Sequence, residues 1–171
     1  MINKKILSEI ALYNGKVKMP KGFEIEKDIL VKDILTSQFY ENIDFPFSRT
    51  YDKLKTYFVD FMQVEHNIML IEKEGYGNYY EKNEVSKSQY KVDPVDLKHS
   101  ADFVLLYGVE IDSDSCTINI NYDDNRRKNR TWLIPLKTDS FVMFPADCRF
   151  YIENSKNTHL NFIQTITFNY L

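Results

Sequence analysis

From residue 68 onward the chain breaks into short strand-like runs, and this rhythm constrains the fold more than any other feature. The runs are Ile68–Glu72, Gly77–Tyr80, Phe103–Ile111, Cys116–Tyr122, Thr131–Leu136, Phe141–Phe144, Phe150–Ile152 and Leu160–Phe168. Each is rich in β-branched and aromatic residues with partial alternation, the pattern of a half-buried strand. Turn-forming residues separate them at Gly75-Tyr76-Gly77, Asp112–Ser115, Asp123–Asn129, Lys137–Ser140 and Asn154–Asn157. About eight short strands at this spacing predict a closed barrel or a two-sheet jelly roll. Composition agrees: 12 Tyr and 12 Phe stand against 5 Gly, and flat rings pack well on a pleated surface.

The first 67 residues read differently, as a helical support for that barrel. Residues 1–17 suit an edge strand or a short helix, and Met19-Pro20-Lys21-Gly22 signals a turn. Phe23–Phe39 carries Ile25, Ile29, Leu30, Ile34 and Leu35 at helical spacing, and Phe45-Pro46-Phe47 breaks the run. Ser48–His66 is the strongest helix signal. Ser48 suits an N-cap, and Tyr51, Leu54, Phe58, Phe61 and Met62 form one apolar stripe that should lie against a sheet. Helices followed by strands within 171 residues predict one mainly β domain over 1–171, with 1–67 as support and 68–171 as barrel core.

Composition excludes several classes. Apolar residues make up 43% of the chain, enough for a core. A net charge of −3 gives no general affinity for nucleic acid or membrane. No apolar run approaches the ~20 residues of a spanning helix, and the N-terminus lacks a secretory pattern, so the expected location is cytoplasmic. Cys116 and Cys148 have no metal-ligand spacing and read as reduced, buried thiols.

Candidate chemistry is sparse. Asp123–Arg130 holds four cations beside two aspartates and reads as a solvated hairpin loop, with phosphate binding as the sharper alternative. Two His and one carboxylate make a facial Fe(II) triad, and the available set is His99, Asp102 and His159. His99 and Asp102 are three residues apart, not the two that share a strand face, and His159 lies sixty residues further on. His66 ends a helix, where a cation suits the dipole. No Gly-rich phosphate loop, nucleophile elbow or His-Glu-x-x-His motif is present, and no His neighbours Cys148 to activate it.

Four segments, taken in order, resemble a known family: Gly75-Tyr76-Gly77-Asn78-Tyr79-Tyr80, Phe103–Val109, Trp132-Leu133-Ile134-Pro135-Leu136 and Phe141-Val142-Met143-Phe144-Pro145. Over about residues 68–169 the chain is similar to the 2-oxoglutarate/Fe(II) oxygenase superfamily. In particular it resembles the small prolyl-hydroxylase-like proteins of tailed phages of marine bacteria. The resemblance implies a double-stranded β-helix, a jelly-roll barrel with its site in the mouth. It places Gln89 and Lys91 where the family has its first two iron ligands. Phe150, five residues after Pro145, falls where the distal His is found. A Lys ammonium has no lone pair, a Gln amide binds Fe(II) feebly and a phenyl ring coordinates nothing. The family's cation that anchors 2-oxoglutarate has no counterpart on Leu160–Phe168.

These departures imply a non-catalytic barrel with no cofactor, serving as a binding or assembly module. Its partners would be proteins or further copies of itself in a phage particle, and its location the host cytoplasm or the virion. Tyr79, Tyr90 and Trp132 are the candidate pocket residues. Two alternatives stand. One is an active oxygenase using Fe(II) and 2-oxoglutarate through His99, Asp102 and His159. The other is a carbohydrate- or nucleic-acid-binding jelly roll that stacks ligands on Tyr76, Tyr79, Tyr80 and Tyr90.

Overall fold

The structure is a computed structural model that describes residues 11–38, 48–125, 128–156 and 158–171. In chain order its elements are β1 (Tyr13–Lys16), α1 (Lys27–Ser37), α2 (Arg49–His66), β2 (Leu70–Tyr80), a 3₁₀ turn (Leu97–His99), β3 (Phe103–Glu110), β4 (Cys116–Asn125), β5 (Lys128–Leu136), β6 (Ser140–Pro145), β7 (Arg149–Asn154) and β8 (Asn161–Tyr170). A larger antiparallel sheet runs β1-β6-β3-β8-β2, and a smaller one runs β5-β4-β7. Two sheets facing each other in this order make a jelly roll.

Alternation along β3 and β8 divides the core into two layers. Phe103, Leu105, Tyr107 and Val109 of β3 and Phe162, Ile166 and Phe168 of β8 join one cluster with Leu30, Ile34, Leu54, Phe58 and Met62 of the helices. Val104, Leu106 and Ile163 point the other way and meet Ile118, Ile120, Phe144, Phe150 and Ile152 between the sheets. Every second residue faces one side. The outer face of the larger sheet therefore carries the helices, and its inner face lines the barrel.

The α2 stripe packs as its spacing predicts. Tyr51, Leu54, Phe58 and Met62 are buried, and the Phe58 ring meets Phe141 of β6 edge-on at 4.8 Å. Burial of each such side chain stabilises by roughly 1.5–3 kcal/mol. Ser48 caps the helix by accepting from the Tyr51 N–H, and Asn67 closes it with a left-handed φ of 55°. On α1 only Leu30 and Ile34 are fully buried, while Ile29 and Leu35 are each 38% exposed. The apolar set there is wider than the contact stripe. Phe39 and Phe45-Pro46-Phe47 lie outside the described residues, as do Met1–Ile10, Arg126, Arg127 and Asn157.

One sequence expectation is corrected. Gly75-Tyr76-Gly77 is not a break between two strands, because β2 runs unbroken through it, paired with β8 from Leu70 to Tyr80 apart from a bulge at Lys73. The glycines serve close approach. A Cβ on Gly75 would collide with the Tyr51 hydroxyl of α2, and one on Gly77 with the Ile34 side chain of α1. Glycine in a strand interior often marks such a backbone approach. The same seam carries a polar clamp, in which Tyr51 donates to the Glu72 carboxylate and Lys55 pairs with that group at 3.0 Å.

Candidate functional site: the mouth of the barrel

A fourth strand of the smaller sheet is present in reduced form, and it builds one wall of the mouth. Residues 84–91 run antiparallel to β7 through isolated bridges, Val85 opposite Glu153 and Gln89 opposite Phe150. The Gln89 N–H donates to the Phe150 carbonyl at 2.7 Å, and the Phe150 N–H returns to Gln89 at 3.0 Å. Between them the Ser86 hydroxyl accepts from the Ile152 N–H at 2.9 Å. A side chain there takes the place of a ladder carbonyl, so regular pairing lapses.

The bridge sets which way each side chain points. Phe150 faces the barrel interior, fully buried, its ring tilted onto Phe144 at 5.1 Å. Residues directly opposite across a ladder share a face, and so do i and i+2. Gln89 and Lys91 are therefore on the barrel side with Phe150. The half-buried Lys91 ammonium lies 4.5 Å over the Tyr76 ring. Tyr76 pairs with Thr165 on β8, whose even-numbered neighbours face the helices, so both belong to the barrel face. Tyr90 points outward, with the Arg149 guanidinium 5.3 Å over its ring.

Electrostatics follow burial. Desolvation lowers the Lys91 pKa from its ordinary value, opposed by the Glu74 carboxylate. Burial raises the Tyr76 hydroxyl well above the usual range. Facing them, β8 presents Asn161, Ile163, Thr165 and Thr167, all uncharged. These side chains do not fit an Fe(II) ion. An ammonium repels it, a phenyl ring offers no lone pair, and only Gln89 carries a weak donor. Among the described residues no three His, Cys, Asp or Glu side chains form a metal-holding group.

The His99, Asp102 and His159 set is not assembled. His99 sits on the exposed 3₁₀ turn with its Nδ1 on Asp96 at 2.8 Å. The Asp102 carboxylate accepts from the Tyr170 N–H, and the Asp102 N–H donates to Phe168, at the C-terminal end of β8. His159 precedes Asn161 at the other end of β8, roughly 30 Å away at strand rise. The proposed stacking aromatics are also dispersed. Tyr80 is in the core, Tyr79 lies against Phe162 on the helix-side face, and Tyr90 is on the outer surface. Tyr79, Tyr90 and Trp132 therefore do not share one pocket.

Trp132 instead lines a groove of about 650 Å³ between β5 and the β1 flank, with Leu12, Ile120, Ile134, Phe144 and Arg130 among its walls. The groove opens at the same end of the barrel as Phe150, since Ile120 pairs with both Phe150 and Trp132. A depression of similar size, about 670 Å³, lies between α2 and residues 19–23, outside the helix layer and away from the barrel. Two features escaped sequence reasoning. Tyr76 as the partner of Lys91 was hidden while its segment read as a turn. Arg130 was merged with the charged hairpin, although its place opposite Tyr122 in the β4–β5 register separates it from that loop. The side chains of residues 123–129 lie outside the described set.

No family model matches the chain, and no curated protein matches it. Solved structures do. A prolyl-4-hydroxylase from Pseudomonas putida is 9% identical with a TM-score of 0.62, covering 94% of this chain and 86% of its own. The viral collagen prolyl hydroxylase of Paramecium Bursaria Chlorella virus-1 is 9% identical with a TM-score of 0.62, covering 98% and 97%. HygX from Streptomyces hygroscopicus, solved with nickel and 2-oxoglutarate bound, is 8% identical with a TM-score of 0.63, covering 94% and 83%. At such identities the likeness is one of fold, and that fold is the double-stranded β-helix of the 2-oxoglutarate/Fe(II) oxygenases.

Proposed function

We propose that the protein is a non-catalytic binding barrel built on the oxygenase fold, working without Fe(II) or 2-oxoglutarate. The observation that carries this reading is the trio at the mouth. Phe150 is buried where it bridges Gln89, and the Lys91 cation rests on Tyr76 inside the same wall. A cation held in that wall opposes a second one by several kcal/mol at short range and low dielectric. The barrel face of β8 supplies no positive charge to hold a dicarboxylate. A binding or assembly role in a phage-related setting is the reading favoured by the sequence resemblance. β2 supports self-association, because it is an edge strand of eleven residues and unpaired edges invite strand pairing.

Calorimetry of the purified chain with Mn(II) and 2-oxoglutarate tests the central claim. The expected result is no stoichiometric binding of either, and tight binding of both would overturn it. The triple variant Gln89→His, Lys91→Asp, Phe150→His tests the placement independently. If these positions form the mouth, the variant gains Mn(II) affinity that the parent lacks. If a folded triple variant gains none, the placement is wrong.

A further inference from the structure

The groove beside Trp132 is built like a ligand site. Trp132 lies opposite Ile120 in the β4–β5 register, so its indole is on the barrel face. Ile120 is buried, yet Trp132 is 52% exposed. The difference comes from the edges of the two sheets. β5 and β1 are both edge strands, and β1 is only four residues long, so among the described residues no strand closes over the indole. Leu12 and Asn14 form the opposite wall, and Phe144 lies among the lining residues. The volume of about 650 Å³ is within the ~300–1,000 Å³ range of small-molecule sites.

Charge identifies the occupant. Arg130 lines the groove and is exposed. Among the described residues its guanidinium forms no ion pair or hydrogen bond. An apolar groove with a half-open indole and one guanidinium that no described side chain pairs with complements a flat apolar body with one anionic group. Stacking on the indole uses the ring, and the planar fork pairs with a carboxylate.

We propose that this groove binds a small aromatic or otherwise planar apolar monocarboxylate, held by Trp132 and Arg130. The proposal rests on the binding-barrel reading and names its ligand class. It does not describe 2-oxoglutarate, which has two carboxylates and no apolar face.

Trp132 is the only tryptophan of the chain, so its emission reports directly on the groove. The full chain is titrated with 3-phenylpropionate, following Trp132 fluorescence and heat, with the uncharged 3-phenylpropanol as control. Binding is expected at roughly millimolar or tighter, as suits a ligand of this size, with a shift in Trp132 emission. Arg130→Gln, at an exposed position, should weaken the carboxylate about tenfold and leave the alcohol unchanged. No emission change and no heat at saturating probe would overturn the proposal. So would equal binding of acid and alcohol with no effect of Arg130→Gln. A parallel titration with Mn(II) and 2-oxoglutarate separates the two claims. Binding there defeats the metal-free reading without touching the groove, whereas silence toward 3-phenylpropionate alone defeats the groove proposal.

Discussion

The two ends of the barrel solve the burial of polar groups in opposite ways. At the closed end Asn161 is fully buried and fully satisfied. Its amide donates to Asn154 Oδ1 at 2.8 Å and to Ser115 Oγ at 2.9 Å, and its carbonyl oxygen accepts from the Asp112 N–H at 2.8 Å. Ser115 continues the chain to the Asp112 carbonyl, and Thr158 grips the Asp112 carboxylate. At the mouth the described residues form no such network. A phenyl ring fills the wall, an ammonium lies on a phenol ring, and an indole stays half open. A closed polar network holds one geometry. A mouth of rings and cations has unspent capacity for a ligand, and it is at this end that the proposed binding would take place.

The sharpest way to break this contrast is at Phe150. Phe150→Ala should cost about 3–5 kcal/mol of unfolding free energy, read by urea denaturation. A loss below about 1 kcal/mol would show that the ring is not the keystone of the mouth wall. At the other end Asn161→Ala should cost about 2–3 kcal/mol, because Asn154, Ser115 and the Asp112 N–H all lose a buried partner. A neutral result would dissolve the distinction between a satisfied end and an open one.

Lys91 gives a smaller effect of opposite sign. Its ammonium is desolvated and its pKa lowered, so the folded state holds protons less readily than the unfolded chain. Lys91→Met should therefore raise the midpoint of thermal unfolding at neutral pH. The gain should shrink as pH rises through the lowered folded value toward the ordinary 10.5 and vanish above it. A destabilised variant, or a gain independent of pH, would contradict the assignment.

The two thiols compare the ends directly. Burial pushes Cys116 at the closed end up to about 12, and burial followed by the Asp147 charge pushes Cys148 at the mouth up to about 12. Both should resist iodoacetamide in the native protein, with Cys148, which borders the Trp132 groove, labelled first by mass spectrometry. Folded values above the unfolded ones mean this stabilisation is complete below about pH 9 and fades as pH climbs toward 12. The smallest effect belongs to Trp132→Ala, which should change stability by less than about 1 kcal/mol while abolishing the heat of 3-phenylpropionate binding. A large destabilisation would mean the indole is core rather than binding surface.

Much of this architecture is legible in the amino-acid sequence, for local reasons. Strand rhythm, the α2 stripe from Tyr51 to Met62, the Ser48 cap and the turn at Pro20–Gly22 all depend on neighbours within a few residues, where periodicity and backbone preference operate. Gly75 and Gly77 show the limit of that reading. A local rule assigns them to a turn, whereas they are glycine because Tyr51 and Ile34, distant in sequence, press against the strand there.

The site divides along the same line. Residue chemistry alone establishes that Gln89, Lys91 and Phe150 are poor company for a metal. That His99, Asp102 and His159 never meet was decided by the tertiary structure, because one long strand separates them. That Lys91 rests on Tyr76, and that Arg130 and Trp132 share a groove, was decided there as well. Those relations are set by the register between strands. Register depends on the whole packed sheet and not on any segment read by itself.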